Sequence, residues 1–220
     1  MVNEPKNILN MSSLRKKFTE LCACGSVPSK SKIAVEPSRH YLDSLPTRTG
    51  VKKINAAIIT ETSTKLSDGS VAMLDRNGQR TVSFYYIPEE VIDRLGLFYY
   101  LKGCNSVGDY HAGHREFNVT QHVVIEQVPA LTITEFLRQE RIHHIHLLKT
   151  DAEGYDLTIM EELYQHITSR VEPVLRVDRI MFETNDDAQQ QRTQDIIENF
   201  KKLGYTVVMT GENTVIEKLV

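Results

Sequence analysis

The sequence has no uninterrupted apolar run of the ~18 residues that a membrane-spanning helix needs, so no membrane span is expected. Nor is there much charge of one sign in excess: 26 Lys and Arg against 29 Asp and Glu leave a net charge of -3. Without a basic surplus there is no long-range pull on polyanions, and nucleic acid is not expected as a partner. Cysteine is scarce. Its three residues, Cys22, Cys24 and Cys104, cannot all pair, and 220 residues bury enough apolar surface to do without disulfide staples. Cys22-x-Cys24 is too close for a usual zinc pair and no second pair follows, so no metal is read there. The first residues, MVNEPKNILNMSSLRKKF, lack the apolar segment of a secretory leader, and a cytoplasmic protein with reduced thiols is the expectation. Internal repeats and low-complexity tracts are also absent. One large domain, or one domain with an insertion, remains.

Residues 1–31 read as irregular or weakly helical: Leu14, Phe18 and Leu21 share a helical face that Gly25 and Pro28 interrupt. Lys32–Pro37 then gives a short apolar run closed by Glu36 and Pro37, the pattern of a buried strand with a carboxylate at its end. A short helix over 38–45 and a second buried strand over Ile54–Thr60 follow. Val71–Leu74 and Thr81–Tyr86, separated by Asp75-Arg76-Asn77-Gly78, predict a hairpin. It opens an insertion over about 70–118 that contains LKGCNSVGDYHAGH and is closed by a strand at Val119–Gln127.

The second half is more regular. Thr132 followed by Glu135 has capping-box spacing and predicts a helix over Thr132–Glu140. Strands are expected at Ile145–Leu148, Arg179–Glu183, Tyr205–Met209 and Thr214–Leu219, the last two joined as a hairpin around Gly211. Helices are expected at Leu157–Leu163 and at Thr193–Leu203, the latter stopped by Gly204. Such alternation implies a mostly parallel sheet with helices on both faces. The strands at 33–36, 54–59, 145–149 and 179–183 should lie parallel in that one sheet, with 214–219 antiparallel at or near its edge.

Open parallel sheets bind ligands beyond the carboxyl ends of their strands, so these acids are the first candidate site residues. An acid ending the second strand of a nucleotide-binding half commonly accepts hydrogen bonds from ribose hydroxyls. Acids gathered on one edge repel one another unless a ligand or cation offsets them. Within the insertion, His111 and His114 lie three apart beside Asp109 and Tyr110, and an unperturbed imidazole titrates near neutrality, as a general base should. A solvated loop pair is the plainer reading of the two. His143, His144 and His146 alternate across a strand entrance and cannot all point one way.

The segment from Val128 to Gly154, VPALTITEFLRQERIHHIHLLKTDAEG, resembles the signature of FkbM-type methyltransferases. Its most specific part is Lys149-x-Asp151-x-Glu153-Gly154. Around it, IAVEPSRHYLDSL is similar to that family's cofactor-ribose strand, KGCNSVGDYH to its serine-containing insertion, and IMFETN and KKLGYTVV to its later strands. The resemblance implies a Rossmann-like class I methyltransferase fold and S-adenosylmethionine as cofactor. It also implies methyl transfer to a hydroxyl of a glycan or small-molecule acceptor. On it, Asp151, Glu153 and His111 are catalytic candidates, and Gly25, Glu36, Pro37 and Asp151 cofactor-binding ones. Glu153 has an alternative role as an acidic cap of the following helix.

Before Glu36, however, only Phe18–Leu21 reads as a first strand, which leaves CACGSVPSKS to serve as both loop and helix. A βαβ unit normally takes upwards of about thirty residues. An abbreviated first βα unit with a degenerate cofactor loop in 1–31 is therefore expected, ahead of a methyltransferase-like domain over 32–220. Two further readings follow: a methyltransferase-fold protein that no longer catalyses and serves as a binding or scaffolding partner, and an acid-lined metal site drawn from Asp151, Glu153, Glu183 and His111 or His114.

Overall fold

A computed structural model describes residues 6–10, 31–46, 50–60, 73–74, 78–152, 155–169, 174–184, 189–210 and 213–218. Two mixed sheets, rather than one mostly parallel sheet, carry the chain. The larger comprises β1 (Lys6–Asn10), β2 (Ser31–Val35), β3 (Val51–Ile54), β9 (His144–Lys149), β10 (Arg176–Glu183), β11 (Tyr205–Thr210) and β12 (Asn213–Lys218). Their order is β11-β12-β10-β9-β1-β2-β3. Neighbours from β3 to β10 pair in parallel, and β12 runs antiparallel to both β10 and β11. The antiparallel final strand thus sits one place in from the edge.

In β2 the consecutive residues Ile33, Ala34 and Val35 are all buried, as an apolar run covered on both faces requires. The first strand, by contrast, escaped the hydropathy reading. Lys6–Asn10 lies between β2 and β9, whereas KNILN carries only two apolar residues among polar ones. Residues 11–30 then connect β1 to β2, so the unit from Lys6 to Val35 has the length of an ordinary βαβ crossover. The expected degenerate cofactor loop falls on residues outside the described ones. Phe18–Leu21 and Gly25 lie outside the described residues.

The strand expected over Ile54–Thr60 is two strands. Glu36 N–H donates to Ile54 O at 3.1 Å, which ends the β2–β3 pairing. Asn55 then turns its amide onto the carbonyls of Glu36 and Pro37, at 3.0 and 2.6 Å. The chain re-enters a different sheet as β4 (Ala57–Ile59). This second sheet has the order β4-β8-β6-β5, with β5 (Met73–Leu74), β6 (Arg80–Tyr86) and β8 (Val124–Thr132), and with β7 (Ser106–Val107) also paired to β6. The β5–β6 hairpin is present. Strand β8 starts later and ends later than expected, since Thr120–His122 is a turn of 3-10 helix.

Among the described residues the helices are α1 (Arg39–Ser44), α2 (Glu89–Leu95), α3 (Ala112–Glu116), α4 (Ile133–Gln139), α5 (Asp156–Thr168) and α6 (Gln190–Lys202). The capping box at α4 is formed: Glu135 N–H donates to Thr132 Oγ1, and Thr132 N–H donates to Glu135 Oε2. Helix α6 stops at Gly204, whose φ of 84° lies in the left-handed region that glycine enters without strain. The main core joins Val35, Leu148, Val177 and Phe182 of the large sheet to Phe136, Met160, Leu163 and Phe200 of α4–α6. Each such side chain contributes about 1.5–3 kcal/mol by leaving water. The small sheet has its own core around Ile59, Val82, Phe84 and Val128. Ile87, Ile92, Leu101, Cys104 and Val119 form another beneath the insertion, which is therefore folded and not a loose loop. No described helix is long and apolar enough to cross a membrane.

Candidate active site

Parallel strands β2, β9 and β10 end on the same edge of the large sheet and bring their terminal acids there. Glu36, the first residue past β2, is completely buried. Its Oε1 accepts from Ser38 N–H at 2.9 Å, while its Oε2 is buried with no hydrogen-bond partner among the described residues. Burial, reinforced by the nearby Asp151 charge, pushes this carboxyl well above the usual carboxylate range, against the lowering effect of the Ser38 N–H. Ser38 also caps α1, its Oγ accepting from Tyr41 N–H. Tyr41 in turn brings its phenol towards Glu36, and burial together with the charges of Glu89 and Glu36 raises its pKa.

Asp151 follows β9 by two residues and is buried. Its Oδ2 lies 3.1 Å from Nζ of Lys149, itself the last residue of β9 and fully buried. Asp156, at the start of α5, accepts from Ala152 N–H at 2.8 Å, folding the strand-to-helix turn back on itself. Burial raises the Asp156 carboxyl, with Asp151 adding to the shift. Three buried carboxyls thus share an edge with the Lys149 ammonium. Glu183, the final residue of β10, is only partly buried.

A cavity opens beside this group. Pro37 and Ala152 line it from the large sheet's edge, Tyr155 from the approach to α5, and Phe84, Asn105 and Ser106 from the insertion. The insertion therefore reaches the site through β6 and the residues around β7. Its histidines do not line the cavity. His111 caps α3, its Nδ1 accepting from Gly113 N–H at 3.0 Å, and His111 N–H donates to His114 Nδ1 at 3.2 Å. Burial lowers the pKa of His111, and burial followed by His111 pushes that of His114 down to about 4.

Of the sequence-predicted residues, Glu36, Pro37 and Asp151 come together here, while Glu153 and Gly25 lie outside the described residues. Lys149 was read only as part of the family motif, with no role of its own, and Asp156 was not singled out from sequence. Lysine directly after the apolar pair Leu147-Leu148 at the end of its strand was the available signal for the role of the first. Among the described residues, Asp151, Glu183, His111 and His114 do not gather into a metal-ligating cluster. The three strand-entrance histidines do not all point one way, but two of them gather elsewhere. His144 and His146 are two apart on β9 and so share a face, and both reach Asp178 of β10.

Comparison with known sequences agrees with the motif. The sequence model of the methyltransferase FkbM domain matches residues 10–207. No curated protein and no solved structure gives a significant match.

Proposed function

Because this chain belongs to the FkbM family of methyltransferases, we propose that it transfers a methyl group from S-adenosylmethionine to a hydroxyl of a glycan or small-molecule acceptor. The observation that carries this reading is Glu36. A carboxylate buried at a strand end, with one oxygen held by a backbone N–H and the other without a partner, is costly unless a donor arrives. Ribose hydroxyls are such donors, and the position is the one nucleotide-binding sheets use for them. The parallel run β3-β2-β1-β9-β10 with antiparallel β12 beside it supports the Rossmann-like reading.

When bound, S-adenosylmethionine supplies an activated methyl on a sulfonium, and its positive charge suits an edge rich in carboxyls. Pro37 holds the turn after Glu36, and Asn55 fixes both residues through their carbonyls. We assign Gly25, in the connection from β1 to β2, to the methionine end. Asp151 is the residue we assign to the acceptor: it orients the hydroxyl and takes its proton, while Lys149 positions the carboxylate. Glu153, two residues further along the motif, is kept as the second catalytic candidate. Since His111 Nδ1 is engaged as a helix cap, we give His111 the role of shaping the insertion that walls the cavity. Asn105, Ser106 and Tyr155 then face the acceptor.

Calorimetric titration with S-adenosylhomocysteine tests the reading. The parent should bind, and Glu36→Ala should lose about 1.5–3 kcal/mol, the range for hydrogen bonds to a charged acceptor. Unchanged affinity in the variant would remove Glu36 from the site, and a parent that does not bind would remove the function.

A further inference from the structure

The end of β9 far from the Lys149–Asp151 edge carries a second polar cluster that methyl transfer does not use. His144 Nε2 and His146 Nδ1 both approach one oxygen, Asp178 Oδ2, at 2.8 and 2.6 Å. The two rings meet edge to face, 4.9 Å between centroids. Register explains the convergence: His144 and His146 project from the same face of β9, and parallel pairing of Arg176 with His144 sets Asp178 alongside them. The other oxygen, Asp178 Oδ1, is held by Arg176 Nε at 2.8 Å, which orients the carboxylate so that Oδ2 faces the imidazoles.

We propose that His144, His146 and Asp178 form a binding site for a divalent transition-metal ion, with zinc as the ion whose chemistry fits best. Two imidazole nitrogens and one carboxylate oxygen are the donor types zinc takes, and their ligating atoms lie within 4.8 Å of one another. Tetrahedral zinc with bonds near 2.0 Å separates its ligands by about 3.3 Å. The nitrogens of His144 and His146 therefore need to withdraw from Oδ2 by about 0.5 and about 0.7 Å, within side-chain reach. The side chains are 24, 27 and 25% exposed, so an ion can enter and a fourth position stays open to water. The Arg176 guanidinium opposes a cation, but it is 60% exposed and bonded to the far oxygen, so it remains as an outer partner of the carboxylate.

This site is distinct from the candidate active site. Three residue steps of strand separate His146 from Lys149, roughly 10 Å at the rise of a strand, and Asp151 lies two residues beyond. The ion would join β9 to β10 in the large sheet.

The test is calorimetric titration of the chelator-treated full chain with zinc chloride, alongside the double variant H144A/H146A and the control His143→Ala. The expected result is saturable one-to-one binding in the parent and in the control. Loss of ligands should weaken it in the double variant by more than the roughly 10- to 100-fold that loss of an outer-shell partner brings. Absence of saturable binding in the parent, or equal affinity in parent and double variant, overturns the proposal. Should the double variant fail to fold, imidazole nitrogen NMR of the parent decides. One equivalent of zinc should shift the His144 and His146 resonances and leave those of His40 and His122 in place, and the reverse pattern overturns the site.

Discussion

Replacing Glu36 with glutamine should strengthen the ligand-free protein while weakening its hold on cofactor. The glutamine carbonyl can keep the Ser38 N–H bond now made by Glu36 Oε1 at 2.9 Å. What disappears is the ionisable group. Burial raises the Glu36 pKa well above its reference value of 4.5. A carboxyl with a higher pKa in the folded than in the unfolded chain contributes stability that is fully present below the unfolded value. That contribution is lost as pH rises through the folded value. Between the two, the parent loses up to about 1.4 kcal/mol per pH unit, and the glutamine variant does not. In urea unfolding without cofactor, the two proteins should therefore diverge from about pH 4.5 upward, and the gap should level off above the folded pKa. Each kcal/mol corresponds to about 2–4 °C in Tm for a chain of this size. S-adenosylhomocysteine should bind the variant more weakly throughout. Parallel pH profiles for parent and variant would refute the reasoning, because they would mean that Glu36 titrates alike in both states.

Asp151→Asn keeps the shape of the side chain and removes its charge. Cofactor affinity should survive while turnover falls by about 100-fold or more, read from methyl transfer to an acceptor found by screening glycans and small hydroxylated compounds. His111→Ala removes the cap of α3 and should cost about 1 kcal/mol in urea unfolding with kcat unchanged, whereas a general base would show the opposite pattern. Thr132→Ala breaks the capping box of α4 and should also cost about 1 kcal/mol, with S-adenosylhomocysteine affinity intact.

How much was legible in the sequence depended on whether the local pattern and the tertiary environment agreed. Where they agreed, reading was direct: Thr132 and Glu135 predict the capping box that forms, Gly204 ends α6, and the run into Glu36 gives a buried strand. They disagreed in KNILN. This strand is defined by its partners β2 and β9, and its own polar residues conceal it. Missing it made the first βα unit look truncated. At Ile54–Thr60 an apolar pattern interrupted only by Asn55 concealed a change of sheet, because the break is made by the Asn55 side chain bonding two carbonyls distant in sequence. His111 misled for a related reason. Proximity in sequence to Asp109 and His114 suggested chemistry, but a helix N-cap uses the same nitrogen a base would need.

The buried charges explain why the motif is built as it is. Lys149 ends a strand whose neighbours Leu148 and Thr150 are also buried, so its ammonium is removed from water and must be offset. Asp151 supplies that offset at 3.1 Å. Replacing such a pair with apolar residues is often neutral or stabilising, so fold stability alone gives little reason to keep it. Glu36 and Asp156 add further carboxyls that burial holds above their ordinary pKa, each a cost to the ligand-free fold. An edge that repeatedly gives up stability in favour of acceptor groups is shaped for something that brings donors and positive charge. Ribose hydroxyls and a sulfonium bring both, which is the physical ground for assigning the Glu36 end to binding and the Asp151 end to the acceptor hydroxyl.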